Sequence, residues 1–488
     1  MDDPVAVAAA HRRAGRYAEA KKLCRDILDR DPGNVDALTT LGTALADTGA
    51  IEAATAIYRR AATARPDDAR LFQKLGSALT RIGDLDGAAT ALGRCIGLAP
   101  HNARAGIFLS AVLRKQNRIR DSRLLLDSSV SKRPFTTSRC QGEAAARVLR
   151  LRGVQNAFFT LGHSRQGYLK TVLSTGNFSV RFLIDRQRFD MCEFLMANDN
   201  LLAVESLPAF DIVVNSVADP DVEPKSLRTL GEFMRHRRDI PVINPPDNVL
   251  KTTRDGNYRR LKDIDGVVFP KTVRLRATGA SEAAVENFIR RHGFSFPVIL
   301  RRPGTQTGKT ASIVRNCSEL AGKLRGNKRR DFYVIQFIEE KIKEEYFRKM
   351  RFFCIDGKLF PVVCHIDKTW MVHGSNRKTT MKNHDWMVNE EKNFMSDPEN
   401  YIGRNQYNIL ESLNDIMGLD FFAIDFNLLE DGRLLIFETN AAVRHSLDHA
   451  RDFPYLTPHM NEVSRAFDTM IVDKVRRARE WTIDGKAP

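Results

Sequence analysis

The stretch LDFFAIDFNLLEDGRLLIFETNAA, residues 419–442, fixes the reading of the whole C-terminal half. Asp431-Gly432 stands between two runs that alternate apolar and polar residues, the pattern of a β-hairpin with a two-residue loop. With that loop, Glu430 faces Arg433, Asp425 lies directly opposite Glu438, and Asn440 follows two residues on along the same face. The other face, made of Phe422, Ile424, Phe426, Leu428, Leu435 and Phe437, is wholly apolar and is expected to be buried.

Directly opposed side chains in a sheet have Cβ atoms about 5 Å apart, and like charges there are destabilising. Two carboxylates converging beside a core need one of two remedies: a proton on one of them, or a cation between them. An oxygen-only set of Asp425, Glu438 and Asn440 is the kind that Mg²⁺ takes, with substrate phosphates and water completing an octahedron.

In order and spacing these three residues resemble the metal site of the ATP-grasp superfamily, an Asp on one strand and Glu-x-Asn on the next. The resemblance implies two Mg²⁺ ions bridged by Glu438, with Asp425 and Asn440 each completing one. The family's Arg two residues before the Asp is replaced by Ala423, and Arg351 or Arg444 is expected to fill its place. The Pro-Gly that often follows the Asn is replaced by Ala441-Ala442.

Upstream, FPVILRRPGTQTG (296–308) resembles the family's strand and glycine-rich phosphate loop. It implies Arg301 or Arg302 on the α- and β-phosphates of ATP, with the spacing from Pro297 favouring Arg301, and Gly304 and Gly308 closing loop amides over them. The same segment comes within one residue of a P-loop, with Pro303 where its first glycine belongs. The continuation Thr310–Val314 reads as strand, with Asn316 or Ser318 capping the next helix, so the P-loop is the poorer reading. DFYVIQFIE (331–339) resembles the inter-lobe hinge, implying that backbone at Ile335, Gln336 and Phe337 holds adenine and that Glu339 or Glu340 takes the ribose. YFRKMRFFCIDGK (346–358) forms a second Asp-Gly hairpin. Alternation places Lys349 and Arg351 on one side, where two cations suit phosphate or a substrate carboxylate. The polar run 365–405 is long for a loop and is expected to be a substrate-facing lid, with His373 and Arg377 as contacts.

Before this module, short apolar runs alternate with helical stretches over residues 151–247: NAFFTL then SRQGYLKTVLSTG, SVRFLID, FDIVVNSV then PKSLRTLGEFMRHR, and PVINPP. The alternation predicts βαβ units and a parallel sheet. No GxGxxG follows the first strand, and the segment resembles the small α/β domain that precedes ATP-grasp modules. Residues 135–150 read as a polar linker.

The N-terminal 134 residues carry a period of 34: Pro32, Pro66, Pro100 and Pro134. In step with it run a turn column (Gly15, Gly49, Gly83, Asn117) and two small-residue columns (Ala8, Gly42, Gly76, Ser110; Ala20, Ala54, Ala88, Ser122). Each unit reads as helix, turn, helix, and a proline that ends the second helix. Four such units resemble the tetratricopeptide repeat (TPR). The resemblance implies a superhelix that docks a peptide, protein or carrier-borne substrate, with Thr39, Thr43, Arg70, Gln73 and Ser77 facing the groove; self-association into a homodimer is its other use.

Composition sets the outer bounds. A formal charge of +16 favours anionic partners. Aromatic residues at 8% and the lack of an RNP or zinc-finger pattern argue against nucleic acid. Seven scattered cysteines without a CxxC suit a reducing, cytoplasmic setting, and no run is apolar enough for a membrane helix. The fold expected is multi-domain: an all-α repeat array at 1–134, an α/β domain at 151–247, and an α+β ATP-grasp fold at 248–488. The implied activity is ATP-dependent, Mg²⁺-assisted activation of a carboxylate as an acyl phosphate and its joining to an amine. The substrate is expected to be a peptide, amino acid or carrier-bound acid. The rival reading is a non-catalytic scaffold with a degenerate nucleotide-binding domain.

Overall fold

In a computed structural model of the chain, residues 3–483 are described except 133, 164–168, 175, 198–206, 278–280, 306, 307, 309, 326, 328, 329, 373, 375, 444, 446 and 447. Two compact units separate: residues 1–134 with 158–174, and residues 135–157 with 175–488.

The first unit is built on four helix pairs: α1 (Pro4–Arg13) and α2 (Tyr17–Arg30), α3 (Val35–Asp47) and α4 (Ile51–Ala64), α5 (Ala69–Ile82) and α6 (Leu85–Leu98), α7 (Ala103–Lys115) and α8 (Ile119–Lys132). All four turn-column residues adopt the left-handed backbone that ends a helix sharply, with φ of 77° at Gly15, 85° at Gly49, 89° at Gly83 and 63° at Asn117. Each proline of the period stands two residues past the end of a second helix. The small column exists for close approach. A Cβ on Gly42 would lie 2.8 Å from the Tyr58 ring, and one on Gly76 2.6 Å from Leu92 Cγ.

The chain then enters the second unit with β1 (Phe135–Ser138) and β2 (Ala146–Gly153) and returns to the first with the antiparallel hairpin β3 (Phe159–His163) and β4 (Leu169–Leu173). The linker expected over 135–150 is therefore a strand and a half. Val148 and Leu149 are buried on opposite faces of β2, which suits a strand covered on both sides. The helix expected after NAFFTL is a strand instead: β4 shows two-residue alternation of burial rather than a helical stripe. Leu161 of the hairpin packs on the repeat core, and the Arg114 guanidinium sits 3.2 Å from the Phe158 ring centroid.

In the second unit β5 (Phe189–Met196), β6 (Ile212–Asn215) and β7 (Val242–Ile243) complete a sheet of order β1-β5-β2-β6-β7, parallel except at β1. SVRFLID, expected as a strand, is a turn segment that buries Val180, Leu183 and Ile184; the strand is the following FDMCEFLM. α9 (Pro224–His236) follows β6, and α10 (Pro246–Leu250) and α11 (Arg254–Leu261) follow β7.

Two antiparallel-rich sheets come next. After β8 (Val267–Val268), the strands β9 (Thr272–Arg276), β10 (Val298–Arg301), β11 (Ser312–Val314) and β12 (Asp331–Gln336) pair in the order β11-β10-β12-β9. With α12 (Glu282–His292) and α13 (Cys317–Arg325) they enclose their own apolar core, including Val285, Leu300, Leu320 and Val334. The larger sheet has the order β14-β13-β15-β16-β8, from β13 (Phe347–Ile355), β14 (Lys358–Asp367), β15 (Phe421–Leu428) and β16 (Leu434–Asn440). Helices α14 (Asp385–Ser396), α15 (Pro398–Ile402), α16 (Arg404–Met417), α17 (Asp448–Asp452) and α18 (Thr457–Ile483) complete the unit.

Among the described residues of 365–405, expected as a lid, much is packed helix instead. α14 buries Met387, Glu391 and Phe394, and Arg377, expected to meet substrate, is 1% exposed, paired with Glu391 and stacked 4.1 Å from the Phe453 ring centroid. His373 lies outside the described residues. No helix among the described residues is long and apolar enough to cross a membrane.

Candidate nucleotide site

The β15–β16 turn is one residue longer than the two-residue loop the sequence suggests. Leu429 N donates to Arg433 O and Gly432 N to Leu429 O, both at 2.9 Å, leaving Glu430, Asp431 and Gly432 as the loop. Next to the turn the pairs are Leu428–Leu434, Asn427–Leu435 and Phe426–Ile436. A β-bulge at Phe437 then absorbs the extra residue, and beyond it Asp425 pairs with Glu438, Ile424 with Thr439 and Ala423 with Asn440. The two deviations cancel, so the acids face one another as the shorter loop requires. Leu435 does not join the far apolar face; it stands opposite Asn427 on the side of the acids.

Asp425 is 4% exposed and is gripped at both oxygens by Arg351, with Nε–Oδ1 at 2.5 Å and Nη2–Oδ2 at 2.7 Å, while Lys349 Nζ lies 3.4 Å away. β13 places Arg351 directly beside Asp425 in register. Burial alone would raise the Asp425 pKa, but Arg351 and Lys349 hold it far below the carboxylate range. Glu438 pairs with Arg254, the first residue of α11, and accepts from Asn440 Nδ2 at 2.6 Å. Burial raises the Glu438 pKa and Asp425 adds to that, yet Arg254 and Arg301 bring it down to about 2. The chain's own cations thus favour the ionised form of both acids without a cation lying between them.

Among the described residues no group of three or more His, Cys, Asp or Glu is arranged to hold a metal ion. The oxygens that suit a hard cation are those of Glu438 and Asn440, whose Oδ1 is buried without a hydrogen-bond partner among the described residues. Asp425 joins that set only if Arg351 releases it. Arg351 is in register with Asp425, whereas Phe353 stands beside Ala423, so Arg351 does not occupy the position expected for the replaced Arg; Arg444 lies outside the described residues.

A cavity opens at Glu438 and Asn440. Its other walls are Ala218–Asp221 from the β6–α9 connection, Thr252, Arg254, Arg302–Thr305, Tyr333 and Ala442. Arg301, at the end of β10, donates to Thr305 O at 2.5 Å, and burial and then Arg254 push its guanidinium down to about 10. Arg302 turns its guanidinium to Asn327. Gly304, with φ of 66°, comes so close to the β6–α9 connection that a Cβ would lie 2.7 Å from Val222 Cγ2. The loop runs on into β11, and Asn316 caps α13 by accepting from Glu319 N at 2.8 Å, as the sequence suggests and as a P-loop does not.

The cavity brings together Glu438, Asn440, Gly304 and Arg302, with Asp425, Arg351, Lys349 and Arg301 linked to it by charge contacts. It does not reach Gly308, Ile335, Gln336, Phe337 or Glu339. Gln336 N donates to Lys271 O at 2.8 Å, the Gln336 side chain closes on Ser295, and Glu339 pairs with Lys341 at 2.7 Å. A Cβ on Gly308 would lie 2.5 Å from Met371 Sδ. Sequence reasoning missed Arg254, Asp221, Tyr333 and Arg274. Asp221 accepts from Arg274 at 2.5 Å and from the Tyr333 hydroxyl at 2.7 Å, tying β9 and β12 to the β6–α9 connection. Nothing local in ADPDVEP marks this, because the partners come from strands far along the chain.

Residues 11–79 match the tetratricopeptide-repeat family, and residues 69–102 match it again. The first unit therefore carries tetratricopeptide repeats. No curated protein matches the chain. Among solved structures, MamA is similar at 25% identity over 27% of this chain and 75% of that one, with a TM-score of 0.26. D-alanine–D-alanine ligase from Bacillus anthracis is similar at 11% identity over 68% of this chain and 99% of that one, with a TM-score of 0.41. The ligase from Coxiella burnetii gives 10% identity, 69% and 98% coverage, and a TM-score of 0.41.

Proposed function

We propose that residues 248–488 form an ATP-grasp ligase module preceded by an α/β domain at 151–247, and that the repeats dock its peptide, protein or carrier-borne substrate. The observation that carries this reading is the pairing of Asp425 with Glu438, with Asn440 at the mouth of a cavity walled by the Gly304 loop and Arg254.

ATP would place its phosphates toward Arg254, Arg301 and the Gly304 loop, with the nucleoside beyond that cavity at the Ile335–Phe337 hinge and Glu339, which must then exchange its contact with Lys341 for the ribose. A substrate carboxylate oxygen attacks the γ-phosphorus, the bond to ADP breaks, and an acyl phosphate results. An amine then attacks the acyl carbon, phosphate leaves, and the amine loses a proton. Arg351 and Lys349, which contact Asp425 here, would balance the charge of the transferring group once turned toward it. Glu438, Asn440 and Asp425 would hold Mg²⁺, which when bound neutralises the developing phosphate charge. The seven free cysteines fit a reducing cytoplasm.

The test is ADP release across pooled amino acids and peptides, wild type against Glu438→Ala. Turnover that survives the substitution would refute the assignment. The rival, a docking scaffold with an inactive nucleotide domain, draws on the closure of both Asp425 oxygens by Arg351. Nucleotide-dependent thermal stabilisation without any ADP release would favour it.

A further inference from the structure

Three guanidinium groups share one carboxylate near the carboxyl end of β2. Alternation puts Arg150 and Arg152 on one face of that strand, and Arg150 stands in register with Glu193 of β5. Glu193 Oε2 lies 3.4 Å from Arg150 Nη1 and equally far from Arg152 Nη1, while Arg186 takes Oε1. Arg150 directs its other donors inward, Nε to Ser216 Oγ and Nη2 to Phe178 O, each at 2.7 Å.

Arg152 differs. Its Nε is buried and has no hydrogen-bond partner among the described residues, yet its side chain keeps 21% exposure and can be reached from solvent. Three arginines less one glutamate leave an excess of two positive charges, and no other carboxylate among the described residues is paired with them. Gathering like charge around a guanidinium that is 7% exposed is costly unless an anion completes the set. Burial, and then Arg152, push the Arg150 guanidinium down to about 9. Burial alone would raise Glu193, yet Arg150, Arg152 and Arg186 hold it below the ordinary carboxylate range.

Guanidinium forks match planar carboxylates and phosphate groups two bonds at a time. The carboxyl ends of parallel strands are also where open α/β sheets take their ligands. We propose that Arg152 and Arg186, braced by Arg150 and Glu193, bind an oxyanion: the carboxylate or phosphate group of a ligand. None of these residues lines the cavity at Glu438, so this site stands apart from the ligase reading.

The full chain is melted with inorganic phosphate and, separately, with acetate, both in saturating Mg·ADP so that the nucleotide pocket is filled. A response to phosphate alone identifies a phosphate-bearing ligand, and a response to acetate a carboxylate. Arg152→Gln is expected to weaken the effective anion about tenfold. Glu193→Gln, which enlarges the charge excess, is expected to melt lower when neither phosphate nor acetate is added and to gain more from the effective anion than wild type. Absence of any anion response, or an equal response in wild type and Arg152→Gln, overturns the proposal. If Arg152→Gln fails to fold, Glu193→Gln decides: a lower melting point with no larger anion response also overturns it. Failure of Mg·ADP itself to raise the melting point bears on the ligase reading alone.

Discussion

Arg351 stands in register beside Asp425 and closes on both of its carboxylate oxygens. Replacing Arg351 by Met leaves a buried acid with only Lys349 at 3.4 Å. Breaking a buried pair from one side costs about 3 kcal/mol. Urea denaturation of Arg351→Met near neutral pH should show a loss of that size, and a loss under about 1 kcal/mol would mean the grip is incidental.

Glu438 makes stability depend on acid. Its pKa falls from 4.5 unfolded to about 2 folded, so its contribution is full above about pH 4.5. The contribution is lost as pH drops from there toward 2. Asp425, also depressed, acts in the same direction. Denaturation measured between about pH 5 and pH 2.5 should show a shallower acid decline in Glu438→Gln than in wild type. Parallel declines would contradict the assigned shift.

Gly42 has no room for a larger residue against Tyr58. Gly42→Val should lower stability by about 1–3 kcal/mol through overpacking between α3 and α4, read as a fall in the melting transition of the repeats. Substitution at Gly93, whose Cβ would meet nothing within 4 Å, is the control.

Arg377 and Glu391 are both 0% exposed at the side chain, a pair sealed inside the fold. Arg377→Met alone strands a buried carboxylate and should cost about 3 kcal/mol, whereas Arg377→Met with Glu391→Leu should recover most of it. ADP release, normalised to folded protein, should be unchanged in the double variant. A selective loss of turnover would return Arg377 to the substrate.

The repeat columns were legible because their cause is local and recurs: each left-handed turn and each proline acts within its own 34 residues. The opposition of Asp425 and Glu438 was legible for a less secure reason. The turn was misjudged by one residue, and the bulge at Phe437, which no residue type announces, restored the register. Arg351, singled out from strand alternation, does meet Asp425, because neighbouring strands carry the two. Arg254 and the Asp221–Tyr333–Arg274 contacts stayed hidden, since they join β6–α9, α11, β9 and β12, and pairings at that separation are set by sheet order. The middle sheet was half legible. β4 reads equally well as helix in so short a run, and β5 carries Asp190 and Glu193 inside its apolar run, which hides it as a strand.

The hairpin at 158–174 belongs with the helices although strands of the other unit precede and follow it. The repeats are therefore not a detachable cassette. Cutting the gene after codon 134 would leave the product of residues 135–488 carrying Phe159 and Leu161 with their helical shelter gone, and would strip the helices of that cover. A graft of these repeats onto another enzyme would have to carry both pieces, so recombination at a single crossover is a poor route for exchanging them.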